Sequence, residues 1–165
     1  MGSMPIFLHL SLVFLSAHSP MAAPARPKPA LKAVTACVAA TQADIQEALG
    51  EAVTKGTEHT EGSESTCDYA GDGGQVSITI HRSVGKLDVP SAIADLKAAM
   101  PDAKLREAPG IGARAFFVDL GGDGAQLFVI RDDREFLLVS VLGFGDATRV
   151  SPAAGRIARK ALDRF

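Results

Sequence analysis

Tryptophan is absent, tyrosine occurs once, cysteine twice and histidine four times in 165 residues. No uninterrupted apolar run reaches the roughly 18 residues expected of a spanning helix. Neither charge sign is in excess: 17 Lys and Arg stand against 19 Asp and Glu, a net charge of −2. That balance removes the basic surplus with which nucleic-acid-binding domains announce themselves. Two cysteines without a CxxC or nearby His spacing do not make a zinc site. His9 and His18 fall near the N-terminus, so any Ser-His-Asp or His-metal arrangement in the body of the chain must use His59 or His81. Neither a G-x-S-x-G elbow nor an H-E-x-x-H pair is present. The acidic pairs Asp132/Asp133 and Asp68/Asp72 lie at predicted turns, where Asp serves local hydrogen bonding. Catalysis, metals and cofactors are therefore not expected.

What is present begins with a leader. All charged side chains lie after Ala25. Pro5 to Ala17 is an apolar stretch of h-region length, and Ala23-Pro24-Ala25 offers an A-x-A-like cleavage site, although Met1 to Met4 lacks the usual basic residue. Residues 1–25 read as a signal peptide, 26–36 as a Pro/Ala linker and 37–165 as a single domain, periplasmic or secreted. In an oxidising compartment Cys37 and Cys67 are expected to pair. Val34-Thr35-Ala36-Cys37 has the outline of a lipoprotein cleavage box, but it lies about twenty residues beyond the h-region.

Within the domain, Thr41-Gln42-Ala43-Asp44 predicts a capping box and a short helix ending at Gly50. Glu51 to Thr66 carries no apolar periodicity and reads as a solvated, acidic connection. Cys67–Ala70 and Gln75–Arg82 predict a hairpin, the second strand alternating Val76, Ile78 and Ile80 with polar residues. Asp88 to Met100 predicts a helix with Ile93, Leu96 and Met100 facing inward, followed by a short strand at Lys104–Glu107. Ala113–Leu120, Ala125–Arg131 and Glu135–Leu142 predict an antiparallel meander. Ser151-Pro152 predicts the N-cap and first position of a last helix. The expected class is α+β: an antiparallel sheet with a three-strand C-terminal meander packed by about three helices, in the order α-ββ-α-β-βββ-α.

Gly110-Ile111-Gly112-Ala113-Arg114-Ala115 matches the G-x-G-x-x-A dinucleotide fingerprint in letters, but a strand pattern follows where that motif needs a helix N-terminus. Both faces of the meander are apolar. The face assigned to Phe117, Phe128, Ile130, Phe136 and Leu138 needs a cover, which the chain's own helices, a partner or an apolar ligand could supply. The last helix carries Arg156, Arg159 and Lys160 opposite its apolar side, with Arg149 just ahead. These form a candidate basic face for an acidic partner or lipid headgroups, or simply a solvated face complementing the helix dipole.

The order of landmarks resembles a family. Cys37 precedes a Thr41/Asp44-capped helix ending in Leu49-Gly50. Cys67-Asp68-Tyr69 opens a strand, Pro109 to Ala115 turns into another, and an Ala/Arg-rich helix closes the chain. This resembles the small exported bacterial domains of unknown function in actinobacterial lipoproteins and extracellular sensor regions. The resemblance implies an α+β fold with a Cys37–Cys67 bridge and carries over no catalytic residue. The chain departs from it in lacking a lipobox Cys at the leader's end. The function expected is therefore that of a non-enzymatic exported domain binding a protein or small apolar ligand. Its alternatives are an assembly protein using the outer sheet face as a homodimer contact, or a hydrolase using His81 with Asp68 or Asp119.

Overall fold

The computed structural model describes residues 33–101 and 103–165; the expected leader and most of the expected linker lie outside them. Helices α1 (Ala36–Ala39) and α2 (Gln42–Leu49) lead into strands β1 (Thr57–Glu61), β2 (Glu64–Ala70) and β3 (Gln75–Arg82). Helix α3 (Val89–Ala99) and strand β4 (Lys104–Glu107) follow. Strands β5 (Arg114–Asp119), β6 (Gly124–Ile130) and β7 (Glu135–Leu142) and helix α4 (Ala147–Leu162) complete the chain. All seven strands form one antiparallel sheet in the order β1-β2-β3-β7-β6-β5-β4. The class is α+β, as the pattern predicts.

Register sorts the side chains. Val76, Ile78 and Ile80 of β3, Leu137, Val139 and Val141 of β7, and Ala125, Leu127 and Val129 of β6 share one face and are buried. Against them lies α4, which turns Ala154, Ile157, Ala158 and Ala161 inward. Small side chains on that stripe let the helix approach the sheet closely. Helix α2 shows the predicted capping box, with the Asp44 amide donating to Thr41 Oγ1 and the Thr41 amide donating to the Asp44 carboxylate. Gly50 ends it at φ +73°, where a Cβ would be strained. The Cys37–Cys67 disulfide joins α1 to β2 with a Cα–Cα distance of 5.0 Å. Ala36 is in the core and Val34 packs against it, although both fall within the expected linker.

Two elements differ from expectation. The segment read as a polar connection contains β1, because its strand residues are polar on both faces and give no apolar alternation to detect. Its acidic character has a specific use: Glu58 accepts from the Thr35 hydroxyl at 2.8 Å and from the Ala36 and Cys37 amides at 3.2 and 3.1 Å. A carboxylate from a neighbouring strand thus caps the N-terminus of α1, whose own N-cap Thr35 makes no side-chain cap. Glu58→Ala is expected to lower stability by about 1–2 kcal/mol, the usual cost of a lost cap. Urea unfolding measures it, and an unchanged midpoint would show that α1 does not depend on this carboxylate.

The last helix starts four residues before the predicted Ser151 cap. Asp146 is the N-cap and accepts from the Arg149 amide at 2.9 Å. Pro152 stands inside the helix, where its missing N–H leaves the Thr148 carbonyl without its usual donor. The Ser151 hydroxyl, read as a cap, instead donates to the Ala147 carbonyl at 2.6 Å.

Candidate functional site

The outer face of the sheet is split by register into two halves. On β2 and β3 it shows Thr66, Asp68, Ser77 and Thr79; on β5 to β7 it shows Phe116, Phe128, Ile130, Phe136 and Leu138. Helix α3 lies over the second half, and the space between them is a cavity of about 370 Å³. From the helix side Ala92, Ile93 and Leu96 line it, and from the sheet side Phe116, Phe128, Ile130 and Phe136. Asp95 is the one ionisable residue in the lining. The volume lies within the range of small-molecule pockets.

The helix is set on this face without closing against it. Its stripe has the predicted phase, yet Ile93, Leu96 and Met100 are only half-buried and no residue of α3 is fully buried. An 11-residue helix gains little stability from its own hydrogen bonds in water. Local ties hold its N-terminal end: the Leu87 amide donates to the Asp133 carbonyl at 2.6 Å, the Ser83 amide to the Arg134 carbonyl at 2.7 Å, and Lys86 pairs with Asp133 at 3.2 Å. Burying the remaining apolar area of both walls would stabilise the arrangement by about 25 cal/mol per Å² covered.

Of the five residues predicted for this face, Phe128, Ile130 and Phe136 line the cavity, while Leu138 is on the same face outside it. Phe117 is not on this face. It pairs with Leu127, whose side chain points to the α4 side, whereas Phe116 pairs with Phe128 and is the aromatic that belongs here. In the run Ala115-Phe116-Phe117-Val118 every residue is buried, so apolar alternation could not tell which Phe faced which way.

The predicted basic face is divided as well. At about 100° per residue, Arg149, Arg156 and Lys160 lie within about 40° of one another on a helix, and Arg159 about 60–100° away from them. The first three meet the α2 region: Arg149 pairs with Glu51, Arg156 donates to the Ala48 carbonyl at 2.6 Å, and Lys160 pairs with Glu47 at 3.0 Å. They join α4 to α2 rather than forming one free cationic surface. Arg159 points elsewhere and donates to Gly155 O at 3.4 Å.

His81 stacks on Phe136 with ring centroids 4.8 Å apart, and its Nδ1 lies 3.6 Å from Glu64. Asp68 stands opposite Ser77, well along the strand, and Asp119 is on the opposite face, so neither partner proposed for a hydrolase is beside it. The fingerprint-like glycines form the turn into β5: Gly110 and Gly112 take φ of +76° and +59°, and Ile111 between them is buried toward α4. Among the described residues no cluster of three or more His, Cys, Asp or Glu is placed to hold a metal, and no helix is long and apolar enough to cross a membrane.

No family model, curated protein or solved structure matches the chain.

Proposed function

We propose that this is an exported ligand-binding domain without catalytic activity, working in the periplasm or outside the cell, whose α3 gap takes a small apolar molecule. One observation carries the reading: an apolar helix stripe and an apolar sheet face confront each other across about 370 Å³ without either being fully covered. The chargeless N-terminal 25 residues and the disulfide support the compartment. The reading as a homodimer contact is less well supported, because α3 stands over the surface that a second copy would need.

The neutral probe N-phenyl-1-naphthylamine tests the reading. Wild type is expected to enhance its fluorescence saturably, and Ala92→Trp, which projects an indole into the gap, to bind it about tenfold more weakly with a Tm unchanged or raised. The wild type has no Trp, so blue-shifted emission from the variant reports that the indole has entered the gap. Failure of wild type to bind, or equal binding by a variant whose indole is buried, overturns the proposal. Light scattering is expected to show a monomer; a dimer dissociated by Ala92→Trp would favour the assembly reading instead.

A further inference from the structure

On the opposite side of the sheet a second cavity of about 570 Å³ lies between β4, β5, the turn leading into β5, and the side of α4 that carries Ala147, Ser151, Gly155 and Arg159. Ile111, Phe117, Pro152 and Gly155 give it an apolar lining, and Lys104, Arg106 and Arg159 give it cations. Arg149, Lys160 and Arg164 all end on carboxylates. Among the described residues Arg106 and Arg159 have no carboxylate within ion-pairing distance. The acids bordering the cleft are engaged elsewhere, Glu107 with Arg114 at 3.3 Å and Asp119 with the Gly121 amide at 2.8 Å. Arg106 is held over the Phe117 ring, 4.6 Å from its centroid, which positions a guanidinium without neutralising it.

Gly155 is the second, independent observation. Glycine weakens a helix interior relative to alanine, and this one stands in the middle of α4. A Cβ there would meet Arg159 Nη1 and Ile111 Cδ1 at 3.6 Å and Phe117 Cζ at 3.9 Å, all ordinary contacts. Packing does not require a glycine. Its effect is to keep the cleft deep where Arg159 and Phe117 converge. Pro152, the other residue that weakens this helix, borders the same cleft.

We propose that this cleft binds a small organic anion, a carboxylate or sulfonate on a flat apolar body. Its head is received by Arg106 and Arg159, whose planar forks suit such a group. Its body lies against Ile111, Phe117 and Pro152. The site is separate from the α3 gap and does not depend on it.

Two-dimensional NMR of ¹⁵N-labelled full chain, titrated with 2-naphthoate and with uncharged 2-naphthamide, tests this. Naphthoate is expected to shift the amides of Ile111, Phe117, Gly155 and Arg159 saturably, and naphthamide to bind about tenfold more weakly, the loss expected for a charged hydrogen-bonded contact. Arg106→Gln and Arg159→Gln are each expected to weaken naphthoate binding by a similar factor. Gly155→Ala is expected to raise the Tm while weakening binding, a combination that a purely structural glycine would not give. Shifts confined to α3, no saturable shifts, or naphthoate affinity unchanged in both Arg variants overturns the proposal. Should the Arg variants fail to fold, Gly155→Ala decides alone: a raised Tm with undiminished affinity overturns it.

Discussion

Replacing Cys37 and Cys67 together by alanine is expected to lower the unfolding free energy by about 3–4 kcal/mol, the chain-entropy value for a cross-link over a separation of 30 residues. The native state argues for a loss of that size. Helix α1 has four residues and cannot persist alone. Cys67 is fully buried, and the bridge places α1 on β2 so that Glu58 can cap it. One further tie is the Tyr69 hydroxyl, which donates to the Ala40 carbonyl. Burial, helped by the carboxylates of Glu58 and Asp44, pushes that phenol up to about 12, so it stays protonated and able to donate. Urea unfolding of oxidised wild type and the double variant measures the difference. A loss below about 1 kcal/mol, too little for a cross-link of this length, would mean that Glu58 and Tyr69 hold α1 without the bridge.

Asp44→Asn is expected to cost about 3 kcal/mol at neutral pH, the low end for breaking a buried ion pair, because its partner Arg164 is partly exposed and solvent screens it. Asp44 is 6% exposed and receives both Arg164 nitrogens, at 2.5 and 3.0 Å, together with the Thr41 hydroxyl at 2.6 Å. One carboxylate thus caps α2 and fastens the C-terminal end of α4 to it. The Arg164 hydrogen bonds, opposed by burial and assisted by Thr41, hold the carboxyl well below the ordinary Asp range. A folded-state pKa below the unfolded value of about 3.9 stabilises the fold fully above that pH. This stabilisation is lost as pH falls from there toward the folded-state value. The gap in stability between wild type and Asp44→Asn is therefore expected to be constant near neutrality and to narrow below about pH 4. A gap that persists unchanged at pH 3 would place the effect in lost shape or capping rather than in charge.

Legibility varied element by element for physical reasons. The α2 capping box, the β3 alternation and the β5–β7 turns were readable because each is a local rule with a fixed spacing. Strand β1 was hidden because an exposed edge strand needs no apolar face. The start of α4 was misplaced because Ser-Pro is a frequent helix opening, and only the Asp146 cap with the buried Ala147 and Val150 shows an earlier one. In the candidate site Phe128, Ile130 and Phe136 were legible as a second apolar face. Phe116 was missed and Phe117 misassigned, since a strand covered on both sides carries no alternation. The charged seam between α4 and α2 was readable only as a basic stripe, because the Glu47, Glu51 and Asp44 that meet it are about a hundred residues away.

The sequence by itself determined a chargeless stretch of 25 N-terminal residues ahead of a charge-balanced remainder, an α+β pattern, and two cysteines able to close one bridge. These follow from composition and short-range spacing, which act within a few turns of chain. Tertiary structure alone decided which apolar face was left half-covered, by laying α3 over β5 to β7 with a gap beneath it. It also separated Arg159 from the other three basic residues and placed it on the cleft that Arg106 lines. Both outcomes depend on strand order and helix rotation, which are fixed by contacts between residues far apart in the chain, and no local pattern encodes them.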